Sequence, residues 1–130
     1  LEILSQKPLI IIDGAHNMAG INSLFEFIKI IKNDNYLKLI FAVSSDKDKI
    51  PMIDTIEELA DEIIFTKFHY KRSDSANSLY NISHHKNKRI VEEVTDIIEE
   101  VLQDKNKIIV FCGSLYFISE VRAIIKEKLS

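Results

Sequence analysis

The sequence predicts a three-layer α/β/α sandwich of Rossmann-like type, built on a mostly parallel sheet, and three observations carry that expectation. Short apolar runs rich in β-branched residues recur along the chain. Helical stripes with apolar residues three and four apart lie between them, and polar or turn residues bound each run. Runs without polar alternation suit strands covered on both faces, as in parallel sheets. Strands alternating with helices of this length place helices on both sides of such a sheet.

The elements can be justified in order. Leu1 to Leu4 is a candidate opening strand, and Lys7-Pro8 follows closely enough to permit a tight antiparallel connection to the run Leu9-Ile-Ile-Ile12. Ile21, Leu24, Phe25, Ile28 and Ile31 then form one helical stripe. Leu37 to Val43 reads as the next strand. Met52, Ile53, Ile56 and Leu59-Ala60 repeat the helical pattern, with Asp48 as N-cap and Pro51 in the first turn. Ile63-Ile-Phe65 is a strand, Asp74 to Tyr80 a short helix capped by Ser73, and Arg89-Ile-Val91 a weaker strand. Asp96 to Leu102 reads as a helix capped by Thr95 or Asp96. Ile108 to Cys112 is the last strand. Leu115 to Leu129 is the last helix, with Ile118, Val121, Ile125 and Leu129 on its inner side.

A chain of 130 residues is the size of a single domain spanning 1–130, and no repeat, low-complexity segment or internal linker divides it. Hydrophobic residues at 46% supply a core, which argues against disorder. A net charge of −3 without a basic run lacks the electrostatic footprint of a nucleic-acid binder. The longest apolar runs, Leu39 to Val43 and Ile108 to Cys112, fall far short of the ~20 residues of a membrane span. No basic start or apolar leader opens the chain, and its single cysteine has no internal partner. The expectation is a cytoplasmic protein, without membrane or nucleic-acid partners.

In open α/β sheets ligands bind beyond the carboxyl ends of strands, so the residues just after each run matter most. These are Asp13-Gly-Ala-His-Asn17, Ser44-Ser-Asp-Lys-Asp48, Thr66 to Arg72, and Gly113-Ser-Leu-Tyr116. No G-x-x-x-x-G-K-[ST], G-x-G-x-x-G or G-x-S-x-G occurs, and the four histidines lack zinc spacing. Thr66 stands where a phosphoacceptor receiver would close its third strand with an acid. Asp13 and His16 read either as a capping turn with a satisfied histidine, or as an acid accepting from hydroxyls beside an imidazole that recognises a carboxylate. Lys47, between two aspartates, suits a solvated charged turn. Ser114 suits an ordinary N-cap, although a helix N-terminus is also an anion site. His84-His85 suits an exposed loop, and Cys112 a small core residue.

Together these segments resemble a known family. Pro8-Leu-Ile-Ile-Ile-Asp-Gly-Ala-His-Asn17 is similar to the D-G-A-H-N-P signature of folylpolyglutamate synthase and dihydrofolate synthase, members of the Mur-ligase superfamily. Val110 to Arg122 resembles that family's T-G-S-L-Y…E-V-R segment, Asp46-Lys-Asp48 its D-K-D turn, and Arg72 with Ala76 and Leu79 its R-A…L segment. The resemblance covers essentially the whole chain. It departs from the family at Met18 (usually proline), Cys112 (usually threonine) and Lys71 (usually proline). An ATP-contacting arginine of the family would fall immediately before Leu1.

The resemblance implies a Mur-ligase-type C-terminal domain of six strands, the first antiparallel, with the second, third and sixth side by side. It implies a parent ligase that uses ATP to convert a folate or dihydropteroate carboxylate into an acyl phosphate, which the amine of L-glutamate attacks. Magnesium, the P-loop and most of the pterin site would belong to an N-terminal ATPase domain outside this chain. Asp13 would hold the ATP ribose, and His16, Lys47 and Ser114 would bind glutamate. None of them is expected to be a catalytic residue or metal ligand, and the isolated domain is expected to be inactive. Rival readings are a Mur-type domain serving another acceptor, a stand-alone amino-acid-binding module, and a domain whose polar turns only cap helices.

Overall fold

A computed structural model describes all 130 residues. Strands β1 (Glu2–Gln6) and β2 (Leu9–Asp13) form an antiparallel hairpin through Lys7-Pro8, with a shift in register between Ile3 and Ser5. The chain continues through α1 (Met18–Lys32), β3 (Tyr36–Phe41), α2 (Lys49–Glu57), β4 (Glu62–Phe65) and α3 (Ala76–Ile82). It ends with β5 (Lys88–Ile90), α4 (Val94–Val101), β6 (Lys107–Cys112) and α5 (Leu115–Leu129). The sheet order is β1-β2-β6-β3-β4-β5, and every pairing after the hairpin is parallel.

The unbroken apolar runs have the expected cause. Successive strand residues point to opposite faces, and both faces are covered. Ile11, Leu39, Phe41, Ile63, Phe65 and Val110 pack beneath α1, α2 and α3. Their neighbours Ile10, Ile12, Ile40, Ile64, Ile109 and Phe111 pack beneath α4 and α5. Each fully buried aliphatic side chain contributes about 2 kcal/mol of transfer free energy, so the central strands are anchored from both sides.

Two strand positions on the α4 face break the apolar rule, Lys38 and Glu62. Lys38, in β3, is 2% exposed and lies 2.7 Å from Asp104 and 3.9 Å from Glu62, and it also pairs with Glu100. Arg89 of β5 bridges Glu62 at 3.0 Å and pairs with Glu100. No buried side-chain nitrogen or oxygen is left without a partner.

Four local expectations need correction. The helix expected over Asp74 to Tyr80 starts at Ala76, with Ser75 rather than Ser73 as its cap; the Ser75 hydroxyl accepts from the Ser78 N–H at 3.1 Å. Ser73 is engaged in an antiparallel bridge to Ser44, and the Asp74 N–H donates to the Val43 carbonyl, so neither residue is free to open a helix. Helix α4 begins at Val94 with Glu93 at its cap position, ahead of Thr95 and Asp96, because Val94 is drawn into the core. Asp48 does precede α2, but its side chain makes no capping bond. Leu129 is exposed: the buried stripe of α5 ends at Ile125, one turn earlier.

Candidate functional site

β6 lies between β2 and β3, and their last residues are in register: Asp13 with Cys112, and Phe41 with Cys112. The turns after these strands therefore emerge side by side. A cavity of about 140 Å³ opens there, lined by His16, Ser44, Asp46, Lys47, Arg72, Ser114, Leu115 and Tyr116. The three residues singled out for carboxylate recognition, His16, Lys47 and Ser114, thus share one concave site.

His16 and Ser114 are each held by local backbone contacts. Asp13 closes β2, and its Oδ1 accepts from the Ala15 N–H at 2.8 Å, which fixes the turn at Gly14. His16 Nδ1 is 2.9 Å from the Gly14 carbonyl oxygen. A carbonyl only accepts, so Nδ1 carries the hydrogen and Nε2 is left free. Asn17 then caps α1, its Oδ1 accepting from the Gly20 N–H at 2.9 Å. Asp13 itself does not line the cavity; it closes β2 on the same rim.

Gly113 takes φ 124° after β6, a conformation that side chains rarely adopt. It presents Ser114 as the cap of α5, with Oγ accepting from the Tyr116 N–H at 3.2 Å. Because that oxygen accepts, the hydroxyl proton remains available to donate. The first turn of α5 carries no acidic residue, so its free N–H groups and partial positive charge are not neutralised from within. An anion is the complementary ligand.

The loop after β3 is fixed by the loop after β4. The Ser45 N–H donates to the Arg72 carbonyl at 2.7 Å, Ser44 bridges Ser73, and Lys49 pairs with Asp74. That clamp turns Lys47 into the cavity and brings Arg72 to its edge. Tyr116, half exposed, stacks on Tyr70 with ring centroids 4.1 Å apart and forms one wall. A hydrogen bond with Tyr70 holds the Tyr116 hydroxyl above its ordinary pKa, while the nearby Arg72 charge acts the other way.

Arg72, Asp46, Ser44 and Tyr116 received no site role from the sequence. The signal for Arg72 was its position in the turn after a buried strand, but the clamp that carries it across to Lys47 is a pairing between distant segments. Cys112 lies fully buried under the site, where burial and the Asp13 charge push its thiol pKa far up; it packs in the core. His84 and His85 are remote from the cavity, and the His85 Nε2 is taken by the Ala60 carbonyl at 2.7 Å. No three His, Cys, Asp or Glu side chains are grouped to hold a metal ion.

Comparison with known proteins agrees with this architecture. The family model described as dihydrofolate synthetase, C-terminal domain, matches residues 2–124. The dihydrofolate synthase/folylpolyglutamate synthase of Bacillus subtilis is 34% identical over 128 residues, covering 97% of this chain and 30% of that protein. E. coli FolC in complex with DHPP and ADP superposes with a TM-score of 0.88 at 20% identity, over 99% of this chain and 31% of that one. The bifunctional folylpolyglutamate synthase/dihydrofolate synthase of Yersinia pestis, complexed with AMPPNP and Mn ion, gives 0.86 at 24% identity, over 96% and 30%. At these identities the two structures speak to fold. This chain spans about 30% of the length of the B. subtilis relative.

Proposed function

The chain belongs to the family of dihydrofolate synthetase C-terminal domains, and from that premise we propose that it is the glutamate-receiving domain of an ATP-dependent folate–glutamate ligase. The observation that carries the reading is the gathering of His16, Lys47 and Ser114 in one cavity at the carboxyl ends of β2, β3 and β6. An ammonium and a hydroxyl at a helix N-terminus donate to carboxylate oxygens, and the imidazole stands beside them. His16 keeps its Nε2 free, since Nδ1 is engaged with the Gly14 carbonyl.

In the parent enzyme ATP supplies the phosphoryl group that turns the folate or dihydropteroate carboxylate into an acyl phosphate. The glutamate amine then forms the C–N bond, phosphate departs from the tetrahedral centre, and the amine proton is lost to solvent or a base. This chain's part is positioning: glutamate fixed through its carboxylates presents its amine in one orientation. Asp13 fits an ATP ribose contact, because Oδ1 is occupied by Ala15 while Oδ2 keeps accepting capacity toward a hydroxyl. On this reading magnesium and the P-loop belong to an N-terminal domain of the same polypeptide.

The test is a titration of the 130-residue chain with L-glutamate, followed by amide NMR, alongside an assay with ATP, dihydropteroate and glutamate. The expected result is shifts confined to His16, Lys47, Ser114 and their neighbours, with no turnover. Turnover by this chain alone, or perturbation away from the cavity, would overturn the reading.

A further inference from the structure

Three ionic side chains line the cavity without an ionic partner in the protein: Asp46, Lys47 and Arg72. Lys49, two residues from Lys47, is by contrast neutralised by Asp74. Two unpaired cations and one unpaired carboxylate, facing one small space, are the inverse of a ligand with two carboxylates and one ammonium. That is the charge pattern of an acidic α-amino acid.

The segments that carry these charges divide the groups between them. Along β2, β6, β3 and β4, the site residues come in the order His16, Ser114, Asp46-Lys47, Arg72. The loop that carries Arg72 is bonded back onto the β3 turn, the Ser45 N–H donating to the Arg72 carbonyl at 2.7 Å, so Arg72 lines the cavity from a segment separate from Asp46-Lys47. Ammonium and α-carboxylate share one carbon and need adjacent partners, which the consecutive Asp46 and Lys47 supply beside Ser114. The remaining carboxylate, at the end of the side chain, falls to Arg72. Its guanidinium is suited to that task, presenting a planar fork of donors to both carboxylate oxygens.

We propose that Arg72 is the specificity-determining residue that holds the side-chain carboxylate of the incoming amino acid, with Asp46 holding its ammonium. The assignment rests on the reading of the cavity as a glutamate site, and it adds the groups that separate glutamate from neutral amino acids. A neutral isostere such as glutamine would leave the Arg72 charge unmet, which discriminates against it.

The experiment is steady-state kinetics on the full-length ligase carrying this domain, with glutamate, glutamine and ornithine as acceptors. Arg72→Met should raise KM for glutamate at least tenfold, leave KM for ATP and for the folate unchanged, and erase the preference for glutamate over glutamine. Arg72→Lys should restore part of that preference, and Arg72→Glu should shift it toward ornithine. Asp46→Asn should raise KM for glutamate and glutamine alike, preserving their ratio. Arg72 is exposed at the cavity edge, so the variants are expected to keep the wild-type melting profile. His16→Ala is measured in parallel. If it raises KM for glutamate while Arg72→Met keeps the wild-type preference, the Arg72 assignment is wrong and the glutamate site stands. If neither variant changes KM for glutamate, the glutamate reading itself fails.

Discussion

Gly113 lies so close to Ala42 that a Cβ on the glycine would sit 2.0 Å from the Ala42 carbonyl oxygen. The Ala42 N–H also donates to the Cys112 carbonyl at 3.3 Å, so the turn after β6 and the end of β3 are locked together on both sides. The two sides of the cavity, Ser114 on one turn and Ser44 to Lys47 on the other, are therefore carried by a single piece of backbone. The loops that line the site are thus tied to the strand ends that carry them.

Replacing Gly113 by alanine should consequently cost both stability and site geometry. The dihedral strain of a side chain at φ 124° and the contact with a backbone oxygen act together, for an expected loss of at least about 2 kcal/mol. Urea denaturation would measure it. Amide shifts spreading to Ser44 and Lys47 would show that the β3 turn has moved with the β6 turn.

The ion cluster around Lys38 predicts how stability follows pH. Burial disfavours the Lys38 ammonium, but its bonds to Asp104 and Glu100 and the Glu62 charge outweigh that and hold its pKa above the ordinary value. Burial likewise disfavours the Glu100 carboxylate, yet donation from Arg89 and Lys38 keeps its pKa below the usual range. A depressed carboxylate contributes stability that is present above its unfolded pKa, about 4.3, and is lost as pH falls through the folded value. A raised lysine contributes below its unfolded pKa, about 10.4, and the contribution is lost as pH rises through the folded value. Denaturation midpoints should decline at both extremes, and Glu100→Gln should flatten the acid limb. Lys38→Met removes the charged hydrogen bonds to Asp104 and Glu100, while Glu62 keeps Arg89 and Asp104 keeps Lys107, and should cost about 2 kcal/mol at neutral pH.

Much of this arrangement is legible in the sequence because strands buried on both faces leave unbroken apolar runs. Those runs gave the strands, their ends gave the turns, and the His16, Lys47 and Ser114 turns do meet. What the sequence conceals is carried by contacts between distant segments. The bridge from Ser44 to Ser73 delays α3 and brings Arg72 to the cavity, and nothing local to Arg72 announces it. Lys38 is similar: a lysine within a strand reads as an edge or solvent-facing position until Asp104 and Glu100, more than sixty residues on, are placed beside it. Caps are hidden for a related reason. Val94 starts α4 early because the core takes it, against the preference of Thr95 or Asp96 for the cap.

Cys112 offers a test of burial beneath the site. Its thiol has no exposure, and burial disfavours the thiolate that thiol reagents attack. A disulfide reagent such as DTNB should leave the folded chain unmodified and react with one equivalent on unfolding in urea. Rapid labelling of the native chain would mean that the β6 end opens, and the cavity with it.

Ser114 separates a capping role from a binding role. Its Oγ accepts from the Tyr116 N–H, so Ser114→Ala should lower stability by about 1 kcal/mol, the usual cost of losing an N-cap. Glycine is a tolerable cap, and Ser114→Gly should cost only a few tenths of a kcal/mol. Neither variant has a hydroxyl to donate to a carboxylate. If that donation matters, both should weaken glutamate binding to the same degree, about tenfold for a hydrogen bond to a charged group, although their stabilities differ. Isothermal titration of the two variants with glutamate, paired with urea denaturation, makes the comparison. Binding losses that track the stability losses would reduce Ser114 to a cap, and the anion site to the amides of α5 alone.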